Sequence, residues 1–292
     1  MMQKWTTHFA AVLLLTFACS AGAQHAYRGF DRNIYPGDAA LPALRKSFSY
    51  TGYWLNTPPG AQSNTWMGKR ALLKHDGFGF LVLFNGRTDA ELKTAQAKGT
   101  SATALGTQDG KAAVAAAARE GFARNVLIFL DQEEGGRLLQ EQADYVFAWA
   151  DAARKGGARA GVYCSGIEVP DSGSTISTAR DIVERENAQA RRLPKDKRAA
   201  PPIVLWIVND QCPPSPGCTL ATPSMAAAFP PALRSHTEVW QYAVSPRRPQ
   251  FSAGCPRNHA PDGNCYAPGL AHGDNSFVDL NTANSPDPSE LQ

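Results

Sequence analysis

The sequence predicts an α/β fold, a single-domain (βα)8 barrel of the TIM type. Eight short apolar runs alternate with helix-like stretches between residues 27 and 280, the pattern of repeated β-α units around a parallel sheet. The sharpest run, residues 126–130, has no polar alternation at all, as expected of a strand buried on both faces beneath helices. A chain of 292 residues with 43% hydrophobic content is about what one such barrel uses, and no linker-like stretch or internal repeat divides it.

In chain order, residues 1–23 read as a secretory signal: Lys4, an apolar stretch over 9–18, and the small-residue triplet Ala21-Gly22-Ala23, with cleavage after Ala23. Residues 24–292 are then the barrel domain of a secreted or periplasmic protein. The alternative is a lipid anchor on Cys19, for which Thr16-Phe17-Ala18 is a poor lipidation context. No other segment approaches the roughly 20 apolar residues that cross a bilayer, so no transmembrane segment is expected in the mature chain. The expected strands are 27–30, 49–55, 79–84, 126–130, 159–163, 203–207, 237–242 and 276–280. Residues 109–122 form an alanine-rich helix ahead of the fourth strand. Beyond that strand, Leu139, Ala143, Val146, Ala150 and Ala153 recur at three- and four-residue steps, one apolar stripe on an amphipathic helix that Gly156-Gly157 ends. From 245 to 275, five prolines, four glycines and two cysteines break the rhythm, which predicts an elaborated loop, part of which passes the barrel mouth.

Without the signal, 28 basic side chains face 26 acidic ones, a balance that argues against a polyanionic partner; no nucleic acid is expected. The cluster Arg191-Arg192, Lys195, Lys197 and Arg198, beside Pro194 and Pro201-Pro202, reads as a solvated loop. Five cysteines remain. In an oxidising compartment the close pairs Cys212/Cys218 and Cys255/Cys265 would most simply form two disulfides, each stapling its own loop. Cys164, behind an apolar strand, is left as a buried thiol. His259 falls between the second pair, but a zinc site wants tighter thiolate spacing, and no metal is expected.

The chemistry-bearing residues sit where strands stop. Asp31 ends the first strand, Asp131 and Glu133 end the fourth, Tyr163 ends the fifth, and Asp279 comes near the end of the eighth. In a closed barrel, strand C-termini ring one mouth, so these groups converge. Strand alternation puts Asp131 and Glu133 on one side and Gln132 on the other. A strand-end aspartate alone commonly caps the next helix. Several in one cleft repel one another and lose solvation unless chemistry or hydrogen bonding offsets the cost. Trp206 and Trp240 offer flat apolar faces suited to a pyranose ring, although Trp240 and Gln241 alternate and cannot both face inward. Tyr53 and Trp54 pose the same choice. Glu134 is expected opposite Glu133, at the surface or a helix start.

Phe30-Asp31, Leu130-Asp131-Gln132-Glu133, Val162-Tyr163, Leu205-Trp206, Val239-Trp240-Gln241-Tyr242 and Val278-Asp279-Leu280-Asn281 form an ordered series of strand motifs. By them the chain resembles, over nearly its whole mature length, the family 25 glycoside hydrolases and the related DUF1906 glycoside-hydrolase-like proteins. The second strand, Tyr50-Thr51-Gly52-Tyr53-Trp54-Leu55, is more similar to the DUF1906 group. The resemblance implies that Glu133 is the general acid and Asp131 its charged partner, stabilising an oxocarbenium-like transition state or orienting the substrate N-acetyl group. It implies that Asp31 and Asp279 position sugar groups, that Tyr163 donates a hydrogen bond there, and that Trp206, Trp240 and Gln241 contact substrate. The function implied is cleavage of β-1,4-linked N-acetylmuramic acid in peptidoglycan, with no metal or organic cofactor. The alternative is a noncatalytic carbohydrate or cell-wall binding module on the same barrel.

Overall fold

A computed structural model describes Met1 and residues 26–192, 201–273 and 276–290. The expected signal, Cys19, and Lys195, Lys197 and Arg198 lie outside the described residues. The first half runs β1 (Tyr27–Asp31), α1 (Leu41–Arg45), β2 (Tyr50–Trp54), α2 (Arg70–His75), β3 (Gly79–Asn85), α3 (Asp89–Ala97), α4 (Ala102–Arg119), β4 (Leu127–Asp131) and α5 (Gln140–Lys155). The second half runs β5 (Arg159–Ser165), β6 (Val169–Asp171), β7 (Ser174–Ile176), α6 (Thr178–Arg192), β8 (Val204–Val208), α7 (Met225–Ala228), α8 (Pro231–Arg234), β9 (Thr237–Ala243), α9 (Pro249–Ser252) and β10 (Asp279–Ala283). Eight strands close one barrel in the order β1-β10-β9-β8-β5-β4-β3-β2, with β6 and β7 as a separate hairpin above β5.

The barrel departs from the parallel expectation at one strand. β10 begins at Asp279, three residues later than the start expected at 276, and pairs antiparallel with both β1 and β9. A parallel pair needs a crossover that carries the chain back to the opposite end, usually on a helix. Among the described residues, the connector from β9 to β10 carries only the four-residue α9. It therefore stays at the mouth, and the chain re-enters the sheet from the top.

The interior is packed with side chains. Phe129, Tyr163 and Trp206 meet edge to face inside the barrel, with centroids 5.7 and 4.9 Å from the indole. Gly161 makes room for this layer, because a Cβ there would stand 2.5 Å from the Phe129 ring. Outside, α4 begins seven residues before the expected 109, capped by Ser101, whose hydroxyl accepts from the Ala104 N–H at 3.2 Å. Gly110 falls inside this helix, where glycine ordinarily weakens a helix by about 1 kcal/mol. Here it faces α5 so closely that a Cβ would lie 2.5 Å from the Trp149 carbonyl oxygen. Four residues of the stripe read from the sequence are buried on α5, with Ala143, Val146, Ala150 and Ala153 at 2% exposure or less, whereas the fifth, Leu139, stands at the N-cap just before the helix and is 47% exposed.

After β10 the chain passes beneath the barrel. Ser289 Oγ accepts from Val82 N–H at 2.9 Å, Asp287 Oδ1 accepts from Phe80 N–H at 3.0 Å, and Leu127 N–H donates to the Ser289 carbonyl at 2.8 Å. These bonds satisfy the lower ends of β3 and β4, where the register between those strands begins only at Val82 and Ile128.

Candidate active site

The residues predicted from strand ends meet in one cleft of about 420 Å³ at the barrel mouth, lined among others by Asp31, Asp131, Glu133, Tyr163, Gln241 and Asp279. Trp54, Trp206 and Arg248 also line it. Two larger hollows of about 700 Å³ each lie away from the mouth carboxyls, one beside α7 and α8, where Ala26, Thr237 and Asn284 line it, and one between α5 and α6.

Asp279 reaches this cleft because β10 is reversed. It opens its strand instead of ending it, and it stands in register with Asp31. Its Oδ1 accepts from the Ser245 backbone N–H. Asp31 anchors a buried network: its Oδ1 accepts from Gln241 Nε2 at 2.9 Å and from Asn281 Nδ2 at 2.7 Å. Gln241 Oε1 in turn accepts from the Tyr163 hydroxyl at 2.7 Å, and Asn281 Oδ1 accepts from the Trp206 indole N–H at 2.9 Å. One carboxylate thus fixes side chains from four other strands.

Asp131 sits deeper than its neighbour. It is 5% exposed, and no described group donates to its Oδ1. Glu133, two residues on and past the strand end, is exposed and makes no hydrogen bond among the described residues. Burial raises all four carboxyls. Asp31 is pushed up to about 6, although its two amide donors oppose the rise. Asp131 is pushed well above the usual carboxylate range by burial and then by the charges of Glu133 and Asp31. Asp279 is raised likewise by burial and Asp31, against the pull of the Ser245 N–H and the Arg248 and Arg32 charges. Glu133 is raised by partial burial against the opposing charge of Arg248. Its open side toward solvent makes that push weaker than the one on Asp131.

Strand alternation settles the ambiguous aromatics. Trp240 does not line the cleft. It is 1% exposed, its indole N–H donates to the Asn209 carbonyl at 2.8 Å, and it packs on Phe229 outside the barrel. Gln241 faces inward in its place. Trp206 lies on the cleft floor but is fully buried, with its indole edge held by Asn281. Tyr53 points outward to Glu120, and Trp54 lines the cleft. Glu134 turns away from Glu133 and accepts from the Asp89 N–H at 3.1 Å, at the first turn of α3.

Sequence reasoning missed three residues here. Asn281 lies two positions beyond Asp279 on the same face, which alternation alone could have flagged. Asp210 follows β8 as Asp131 ends β4; it is 3% exposed and pairs with Arg248, Nη2 to Oδ1 at 2.6 Å and Nε to Oδ2 at 3.2 Å. Arg248 comes from the irregular connector, where no periodicity tells which of Arg247 and Arg248 faces the mouth.

The disulfides are corrected in their pairing. Cys212 joins Cys255 and Cys218 joins Cys265, so each bond ties the loop after β8 to the connector after β9. Adjacent strands β8 and β9 deliver both loops to the same mouth, where the Cα atoms of the bonded partners stand 4.7 and 5.4 Å apart, within disulfide reach. Non-reducing peptide mapping is expected to recover these two cross-linked pairs, and Cys212→Ser with Cys255→Ser to cost about 2–4 kcal/mol; recovery of Cys212 with Cys218 would contradict the arrangement. Cys218, His259 and Cys265 bring ligand atoms within 4.8 Å of one another, but the two sulfurs are bonded together and offer no thiolate. Cys164 is a buried free thiol whose pKa burial drives upward. No helix among the described residues is long and apolar enough to cross a membrane.

A closed barrel with carboxyls from separate strands at one mouth is an arrangement compatible with a glycoside hydrolase-like α/β-barrel protein. A family model described as Rv2525c-like, glycoside hydrolase-like domain matches residues 50–247, more than half the chain, and the chain belongs to that family. The matched span holds Asp131, Glu133, Tyr163 and Gln241; Asp31 and Asp279 join them through the fold. No curated protein matches. Among solved structures, an uncharacterized B. stearothermophilus protein is 21% identical with a TM-score of 0.55, covering 88% of this chain and 95% of that one. The Mycobacterium tuberculosis Tat-secreted protein Rv2525c is 12% identical with a TM-score of 0.48, covering 90% and 97%. The Clostridium perfringens spore cortex lytic enzyme SleM is 13% identical with a TM-score of 0.47, covering 89% and 68%. At these identities the likeness concerns the fold alone.

Proposed function

We propose that this protein is an extracytoplasmic glycosidase of the muramidase type, cleaving β-1,4-linked N-acetylmuramic acid in peptidoglycan. The observation that carries the reading is the pairing, in one cleft, of an exposed Glu133 with a buried Asp131 whose Oδ1 has no donor among the described residues. An unpaired buried acceptor costs about 1–3 kcal/mol, which a ligand N–H can offset. A sugar acetamido group offers such an N–H.

Glu133 protonates the glycosidic oxygen as that oxygen leaves the anomeric carbon, a task for which a raised carboxyl pKa has the right direction. The acetamido carbonyl oxygen, oriented through its N–H on Asp131, closes onto the anomeric carbon. Water then attacks that carbon, the acetamido oxygen leaves it to restore the N-acetyl group, and the proton that water loses goes to Glu133, so the bond is hydrolysed with Glu133 restored. Asp31 and Asp279 position sugar hydroxyls beside Tyr163. Burial of the Asp131 carboxyl favours its neutral form, which still accepts an N–H through its carbonyl oxygen.

Secretion through a leader over residues 1–23 is part of the proposal, supported by two disulfides that belong to an oxidising compartment. The noncatalytic binding reading draws on Arg248, whose charge works against a protonated Glu133. Incubation of the purified protein with peptidoglycan, chitin and glucans separates the cases: reducing ends are expected from peptidoglycan, and release from none of the three would remove the enzyme reading.

A further inference from the structure

The cleft is rich in carboxyls, and an anionic group on a substrate would meet repulsion in most of it. One cation breaks the pattern. Arg248 is the basic residue among those lining the cleft, and its charge acts on Glu133, Asp279 and Tyr163 alike. Its guanidinium is held firmly. Asp210, which is buried and does not line the cleft, takes up Nε and Nη2, and the Phe251 ring lies 4.9 Å beneath the cationic carbon. The Cys212–Cys255 disulfide joins the two loops that carry this pair, with Cys255 Sγ 3.4 Å from the Asp210 carbonyl oxygen. With Asp210 on one edge, Nη1 makes no hydrogen bond among the described residues, and guanidinium donors in a fixed fork match a carboxylate.

We propose that Arg248 binds a carboxylate carried by the glycan, so that the cleft selects strands whose 3-O-lactyl group is free over strands in which that group is amide-linked to peptide, and over neutral chitin-type strands. The inference rests on the peptidoglycan reading above. An arginine that served only to hold Asp210 would not need to line the cleft. A neutral acetamido sugar would gain nothing from its charge, whereas the lactyl ether places an anion one short arm from the ring, beside the acid that cleaves.

The test measures affinity in a Glu133→Gln background, so that binding is read without turnover. Three probes of equal sugar length are compared by calorimetry: a chitin oligosaccharide, a peptide-free oligosaccharide of alternating N-acetylglucosamine and N-acetylmuramic acid, and the same oligosaccharide bearing stem peptides. The peptide-free muramyl probe is expected to bind about tenfold tighter than the other two, the size of one charge-assisted hydrogen bond. Added Asp210→Asn and Arg248→Gln, which remove both charges together, are expected to erase that difference. Should this variant fail to fold, salt carries the test: rising ionic strength is expected to weaken the peptide-free muramyl probe and leave the chitin oligosaccharide unchanged. Equal affinities, a preference for peptide-bearing strands, or a preference untouched by both the double change and salt overturns the inference alone. Binding of none of the three overturns the peptidoglycan reading with it.

Discussion

Glu133→Gln is expected to lower peptidoglycan turnover by about 10²–10⁴-fold, the range for losing a general acid, while melting temperature and glycan affinity stay near those of the native chain. The split follows from where Glu133 stands. It lies beyond the end of β4, open to solvent, with no hydrogen bond among the described residues, so the amide replacement disturbs neither packing nor a network. What it removes, on the proposed mechanism, is the rim carboxyl that carries a proton to the bridging oxygen. Activity on the native chain is expected to fall as pH rises through the Glu133 pKa, because only the protonated form serves. Rates of reducing-end release beside a thermal melt check this; a variant that turns over normally, or one that unfolds, would contradict the assignment.

Asp31 is expected to show the largest effect on stability, and its two replacements should behave oppositely. Asp31→Ala leaves Gln241 Nε2 and Asn281 Nδ2 as buried donors without an acceptor, at about 1–3 kcal/mol each. Asp31→Asn keeps an acceptor oxygen and removes a charge that raises both Asp131 and Asp279. The alanine form is therefore expected to be about 2–5 kcal/mol less stable than the asparagine form at any pH. The pH dependence has a definite sign. An acid whose pKa rises on folding, here from 3.8 to about 6, holds its proton more tightly in the native state. Its stabilising contribution is complete below pH 3.8 and declines as pH rises toward 6, by about 3 kcal/mol in all. Denaturant melts across this window should show a shallower decline in Asp31→Asn than in the native chain, the raised Asp131 and Asp279 carboxyls keeping a decline of the same sign in both. Equal stability of the two variants would sink the network.

Most of the barrel was legible because its signals are local. The short apolar run before Asp131, with no polar alternation, reads as a strand buried on both faces, and strand-end acids follow from it. The last strand was harder. Its hydrophobic run tells neither its direction nor its start, and direction depends on whether a helix carries the chain back across the barrel. Asp279 arrived at the expected mouth for a reason other than the expected one. Trp240 and Gln241 show the same limit at smaller scale: alternation says that they oppose each other, while the choice of face depends on packing against Phe229. The cysteine partners were misread because closeness in sequence is no guide once two loops share one mouth. Arg248 was invisible for a related reason, since an irregular connector has no period to say which way its side chains turn.

The most direct measurement is the identity of the sugar at the new reducing end after purified mature protein has digested peptidoglycan and the products have been reduced. If Glu133 acts beside Asp131 on the muramyl bond, the reduced terminal sugar is the alcohol of N-acetylmuramic acid, absent from a parallel digest by Glu133→Gln. Reduced N-acetylglucosamine at that position, or equal amounts of product with the variant, would contradict the account.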